Sequence, residues 1–105
     1  MNRSRPMRRP PSPPGEILNE EFLDPLGLTQ AEFAKRIDCD AKTINRIVKG
    51  RTRVTAEMAV RLGSALGTAA ELWMNLQSAV DLYVARRNLG HALPSRIPSP
   101  ARKTG

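Results

Sequence analysis

Four polar side chains recur at spacings of three and four residues, which places them on one face of a helix. They are Lys42, Asn45, Arg46 and Lys49. Lysine and arginine donate hydrogen bonds to guanine O6 and N7, and asparagine pairs bidentately with adenine. The apolar residues of the same segment fall on another face. The pattern predicts an amphipathic helix that contacts DNA bases, and the alternative is an ordinary solvated face carrying cations.

Residues on either side of this helix extend the candidate surface. Ala41, Lys42 and Thr43 lie at its N-terminal end, the part of a recognition helix that meets base edges. Arg51 and Arg53 follow in a loop and are candidate phosphate contacts, which position a protein without reading sequence. We expect Gln30 to reach the DNA backbone or a base beside the helix. The predicted DNA-binding residues are Gln30, Ala41, Lys42, Thr43, Asn45, Arg46, Lys49, Arg51 and Arg53.

Five helices joined by short turns are predicted to hold these residues, and the fold class is all-α because no stretch alternates with period two. A proline in the first turn and side-chain caps mark the starts, with capping boxes at Thr29–Glu32 and Thr68–Glu71. The predicted starts are Pro14 or Gly15, Thr29, Asp40, Thr55 and Thr68. The first helix is predicted to end at Asp24-Pro25-Leu26-Gly27, the third at Gly50 and the fourth at Gly67. The fifth is predicted to run roughly from Ala69 to Arg87. The short connection around Asp38–Asp40 is typical of a helix-turn-helix unit.

The 105 residues carry a formal net charge of +7, but the excess lies at the two ends. Residues 16–87 hold ten bases and ten acids, whereas residues 1–15 and 88–105 hold four and three bases without an acid. Eight of the nine prolines also lie in residues 6–14 or 94–100. Such segments bury too little apolar surface to fold. We therefore predict a disordered basic Pro/Arg-rich tail at 1–13, a helix-turn-helix domain at 14–87 and a disordered C-terminal tail at 88–105.

Other classes of protein fit the sequence poorly. The single cysteine, Cys39, favours a reducing compartment, and no apolar run approaches the ~20 residues of a membrane span. The only histidine, His91, falls in the C-terminal tail. Paired metal ligands, a phosphate-binding glycine loop and a nucleophile motif are all absent from the sequence. We expect a cytoplasmic protein that is not an enzyme and has no metal site, no cofactor and no membrane partner.

Longer motifs add a family resemblance. The run LTQAEFAKRIDCDAKTINRIVKGR, residues 28–51, resembles the helix-turn-helix of phage-repressor-type (Xre-like) regulators. A wider stretch, residues 13–86, resembles the HigA-type antitoxins. The segments that carry the wider resemblance are Pro14–Leu18, Leu26–Gln30, Thr43–Ile47, Thr55–Ala59 and Trp73–Gln77.

The resemblance implies a five-helix, phage-repressor-like domain that acts as a dimeric repressor of its own operon. It also implies a partner, a HigB-type toxin that is a ribosome-dependent mRNA endonuclease. The DNA-contact positions of the family carry over to Gln30, Ala41, Lys42, Thr43, Asn45 and Arg46. Residues 1–13 fall outside the match, so contact between this tail and DNA stays open.

Two further surfaces are predicted for protein partners. The fifth helix carries a broad apolar stripe, part of which must cover the core and part of which we assign to a two-fold dimer. That stripe is Leu72, Trp73, Leu76, Val80 and Tyr83. Acids on the first helix complement a basic, RNA-handling toxin, although a solvated acidic face is an equal alternative. Those acids are Glu16, Glu20, Glu21 and Asp24.

Two other functions remain open at the level of the sequence. A stand-alone Xre-like transcriptional repressor without a toxin would carry the same helix-turn-helix. A protein-interaction module that has lost DNA binding is less compatible with the retained Gln30, Lys42, Asn45 and Arg46. A basic open reading frame of about 90–100 residues just upstream would favour the antitoxin.

Overall fold

The computed structural model describes residues 9–100, so only the parts of the two predicted tails at 1–8 and 101–105 lie outside the described residues. Helix α1 consists of three consecutive segments, Pro14–Ile17, the π-helical Leu18–Leu23 and Asp24–Leu26. Helices α2, α3, α4 and α5 span Gln30–Arg36, Ala41–Val48, Ala56–Leu66 and Ala70–Leu89, and a short 3₁₀ turn follows at Gly90–Ala92. The predicted all-α class with five helices is confirmed over these residues. Helix α5 extends past its predicted end at Arg87.

Local capping chemistry explains where the middle helices begin. The Thr29 hydroxyl accepts a hydrogen bond from the Glu32 amide at 3.0 Å, and the Thr29 amide donates to the Glu32 carboxylate at 2.9 Å. These bonds hold the pKa of Glu32 below its ordinary value. Asp40 accepts from the Lys42 amide at 3.1 Å and so caps α3. The predicted caps are confirmed at these positions.

The start of α5 differs from the prediction. Its N-cap is Ala69, and no side chain caps the helix there, so the predicted Thr68–Glu71 capping box is wrong. The Thr68 hydroxyl instead accepts a hydrogen bond from the Trp73 indole nitrogen at 2.7 Å. Trp73 is fully buried, and a buried indole N–H needs an acceptor. Thr68 therefore contributes its hydroxyl oxygen to the core rather than to the helix terminus.

The core joins all five helices around Trp73. The Trp73 ring packs against Phe22 of α1 with ring centroids 5.6 Å apart. Val54, in the loop between α3 and α4, is also fully buried. The buried apolar residues are Leu18, Leu23, Phe33, Ala34, Ile37, Ile44, Ile47, Val54, Ala59, Leu62 and Trp73. The recognition-helix candidate α3 thus rests on a core to which every other helix contributes.

The first turn of α1 packs closely against the C-terminal end of α3 at Gly15. A Cβ atom built on Gly15 would lie 1.8 Å from the Ile47 carbonyl oxygen and 2.8 Å from the Val48 Cα. Only glycine leaves room for this contact between α1 and the C-terminal end of α3. Gly15 therefore fixes the depth at which α3 sits against the domain.

No helix within residues 9–100 is long and apolar enough to cross a membrane. Over the same residues, no cluster of three or more His, Cys, Asp or Glu side chains has the geometry to hold a metal ion.

Candidate nucleic-acid interface

The turn between α2 and α3 sets the angle at which α3 is presented. Asp38 in this turn adopts a left-handed backbone with φ of 57°. Arg61 of α4 donates from Nη1 to the carbonyl oxygens of Ile37 and Asp38 at 2.7 and 3.3 Å. Glu57, one turn earlier on α4, accepts from Arg61 Nη2 at 3.1 Å. The guanidinium of Arg61 therefore binds carbonyl groups at the end of α2, and α4 holds the turn in place.

The neighbouring thiol, Cys39, is half-buried at this turn. Burial raises the pKa of the Cys39 thiol, which favours its protonated form. A protonated, partly buried thiol is a weak nucleophile and a small apolar side chain. The geometry therefore favours packing of the turn as the role of Cys39.

An open concave surface runs along α3 and the first residues of α2. Seven residues line it: Gln30, Ala31, Ala41, Lys42, Asn45, Arg46 and Arg51. Six of them are among the predicted DNA-binding residues, and Ala41, Lys42, Arg46 and Arg51 are exposed. The sequence prediction missed Ala31, whose signal was its position beside Gln30 in the first turn of α2. The structure thus brings basic, amide and small side chains together on one accessible face.

An amide pair links the two helices of this surface. The Asn45 side-chain nitrogen donates to the Gln30 side-chain oxygen at 3.1 Å, and both side chains are half-buried. A primary amide carries two donor hydrogens, so Asn45 keeps one donor and its Oδ1 acceptor for a base edge. Those two groups are what bidentate pairing with adenine requires. Gln30 therefore both orients Asn45 and contributes its own amide nitrogen as a donor.

The other predicted DNA-binding residues do not line the concave surface. Lys49 is exposed at the end of α3, and Thr43 is half-buried on the same helix. Arg53 forms an ion pair with Asp81 of α5. It lines a separate cleft together with Gln77 and Asp81. Arg51 borders both the cleft and the concave surface, whereas Arg53 borders only the cleft.

The residues assigned to a dimer have different degrees of exposure. Leu72 is exposed, and Leu76, Val80 and Tyr83 are half-buried. Trp73 is fully buried in this chain's own core and has no surface to offer a second copy. We therefore remove Trp73 from the predicted interface. An amphipathic aromatic side chain suits either an interface or a core, and the sequence pattern alone does not distinguish the two locations.

The four acids assigned to a protein partner are all exposed along α1. Glu16 lies in the first segment of α1, Glu20 and Glu21 in the π-helical segment, and Asp24 in the last segment. No salt bridge engages any of the four within the described part of the chain. Their carboxylates are therefore accessible to a basic partner.

Comparisons with known proteins identify relatives that share the helix-turn-helix sequence. A family model described as helix-turn-helix covers residues 20–73. The chain is 43% identical over 82 residues to an uncharacterised HTH-type transcriptional regulator of Haemophilus influenzae. It is 38% identical over 82 residues to the antitoxin HigA-1 of Vibrio cholerae. Each alignment spans 78% of this chain and 77% of the relative.

A solved structure extends the comparison to three dimensions. The antitoxin HigA of Pseudomonas aeruginosa, solved with the higBA promoter, superposes with a TM-score of 0.76 at 40% identity. The match covers 80% of this chain and 90% of that chain.

Proposed function

This chain belongs to the HigA-type family of helix-turn-helix antitoxins, and from that membership we propose that it represses its own operon and neutralises a HigB-type toxin. Repression would act through α3 on operator DNA. The observation that carries the proposal is the concave surface along α3, where Lys42, Asn45 and Arg46 lie side by side.

The chemistry of that surface suits the major groove. Lys42 lies in the first turn of α3, the part of a recognition helix that approaches base edges. Arg46 follows one turn later on the same face and is exposed. From Ala41 to Ala56 the chain holds five bases and no acid, so phosphates are attracted along the whole segment. Arg51, at the edge of the surface, is suited to a phosphate contact.

Repression of a palindromic operator calls for two copies of the chain. We propose a two-fold dimer through α5, with Leu72, Leu76, Val80 and Tyr83 at the contact. This arrangement would present two copies of α3 about one DNA turn, ~34 Å, apart. Several further apolar side chains of α5 are exposed in the single chain and extend the available surface: Leu82, Val84 and Leu89.

The proposed toxin contact is electrostatic. The exposed acids of α1 are suited to a basic, RNA-handling protein, and complementary charge speeds encounter more than it deepens affinity. Reversing Glu20 and Glu21 to lysine should therefore slow toxin association. Because both side chains are exposed, the substitutions should leave the fold and operator binding nearly intact.

A titration of the chain's own promoter DNA tests the repressor function. Fluorescence anisotropy at several salt concentrations gives both the affinity and its salt dependence. Each lost phosphate contact reduces the slope of log affinity against log salt by about 0.9. Replacing Arg46 by alanine should weaken binding, whereas the matched control Arg36→Ala, exposed at the end of α2 and outside the proposed surfaces, should not. Equal losses in both variants would refute the assignment of the surface.

Co-expression with the neighbouring open reading frame tests the antitoxin function. A neighbour that arrests growth alone, co-purifies with this chain and becomes harmless in its presence would support the proposal. A neighbour that is harmless and does not co-purify would leave the alternative, a stand-alone Xre-like transcriptional repressor. The Haemophilus influenzae relative is named an HTH-type transcriptional regulator, and this name favours the alternative.

A further inference from the structure

A closed set of hydrogen bonds ties the loop after α3 to helix α5. Gln77 of α5 is the one polar residue that is buried within residues 9–100, with 6% of its surface exposed. Its Oε1 accepts from the Val54 amide at 2.8 Å, and its Nε2 donates to Asp81 Oδ1 at 3.0 Å. The other carboxylate oxygen of Asp81 accepts from Arg53 Nη2. Since Arg53 and Val54 are neighbours in the loop, the bonds form a ring.

This ring is connected to the concave surface along α3 through Arg51. Arg51, two residues before Arg53, borders the concave surface, and its amide donates to the Arg46 carbonyl oxygen at 2.8 Å. The loop is therefore fixed to α3 at Arg51 and to α5 at Arg53 and Val54. Val54 is fully buried, which anchors the loop further. Residues 51–54 are therefore attached at both ends, and Arg51 is the end that borders the concave surface.

We propose that Arg53, Asp81 and Gln77 form a latch that positions Arg51 for its phosphate contact, and that Arg53 itself is not a DNA contact. The inference rests on the proposed operator binding. It makes Asp81 and Gln77 positioning residues on the helix that we assign to the dimer. Loop and interface helix then move as one unit, so a change at α5 is transmitted to the DNA-facing surface.

The two roles of Arg53 predict opposite effects of removing its partner. If Arg53 contacted a phosphate, Asp81 would compete with the DNA, and Asp81→Asn would tighten binding and raise the salt slope. The latch predicts weaker binding instead, because Arg51 loses its fixed position. Asp81 is exposed on α5 and asparagine has nearly the same size, so the substitution removes the charge without opening a cavity.

The test measures operator affinity and salt slope for wild type, Asp81→Asn, Arg53→Gln and the double variant. We expect each single variant to bind roughly three- to tenfold more weakly and the double variant no more weakly than either, as for two groups of one network. The slope should fall by about 0.9 in all three as the Arg51 contact is lost.

The outcomes separate this inference from the proposed function. Wild-type protein that does not bind its operator would refute operator repression, and the latch would have no contact to position. Wild-type binding together with equal or tighter binding by Asp81→Asn would overturn the latch alone. Additive losses in the double variant would overturn it as well.

Discussion

Replacing Gly15 by alanine tests how closely α1 is packed against α3. The added Cβ would lie 1.8 Å from the Ile47 carbonyl oxygen, 2.6 Å from its carbon and 2.8 Å from the Val48 Cα. All three are backbone atoms, so no change of rotamer relieves the overlap. Helix α1 must retreat until the Cβ–oxygen distance reaches the 3.4 Å at which ordinary contact begins.

The cost follows from two opposing effects. Overpacking a well-packed interior costs about 1–3 kcal/mol, and a clash with backbone belongs at the upper end of that range. Alanine regains up to about 1 kcal/mol of helix propensity over glycine. We expect a net loss of about 2 kcal/mol in the free energy of unfolding. For a domain of this size that corresponds to a fall in Tm of roughly 8–16 °C.

Thermal unfolding followed by circular dichroism measures the loss. Gly27→Ala is the matched control, because a Cβ there meets nothing within 4 Å and the substitution costs only its left-handed backbone, with φ of 66°. That cost is about 1 kcal/mol. A Gly15→Ala variant at least as stable as the control would refute the close α1–α3 contact.

Three other predictions concern contacts that join distant parts of the chain. Thr68→Val should cost about 1–3 kcal/mol, because the buried Trp73 N–H loses its acceptor, and Thr68→Ser should restore most of it in chemical denaturation. Arg61→Met should cost about 1 kcal/mol by freeing the carbonyls of the α2–α3 turn, whereas the control Arg36→Met, exposed on α2, should cost little. Hydrogen bonds from Gln77 and Arg53 hold the pKa of Asp81 below its ordinary 3.8. Wild type should therefore exceed Asp81→Asn in stability above about pH 5 and lose that advantage as pH falls through the lowered pKa. A stability difference that does not change with pH would contradict this cause.

The elements that sequence predicted well are governed by short-range chemistry. The Thr29–Glu32 capping box and the Asp40 cap each join groups within three residues, so their spacing alone specifies them. Thr68 carries the same local pattern, but its hydroxyl bonds to a buried tryptophan. The Thr68 hydroxyl has two possible partners, a helix-terminal amide and the indole N–H, and the packing of the core selects the indole. The sequence pattern does not show that packing.

The candidate DNA-binding surface was also predictable only in part, because some of its contacts join residues that are distant in sequence. The face of α3 follows from helical periodicity, which identified Lys42, Asn45 and Arg46 as neighbours. The role of Arg53 depends on Asp81, 28 residues later, and the bracing of the turn depends on Arg61, 24 residues after Ile37. Such long-range pairs exist only once the helices have packed.

The central claim, that the exposed face of α3 recognises operator bases, is tested most directly by a competition experiment. Labelled operator is displaced by unlabelled operator or by a scrambled duplex of equal length, with wild type and with Asn45→Ala. A lost bidentate base contact should reduce the preference for operator by about 1–3 kcal/mol and leave affinity for the scrambled duplex nearly unchanged. An unchanged preference in Asn45→Ala, or equal loss on both duplexes, would contradict base recognition by this face.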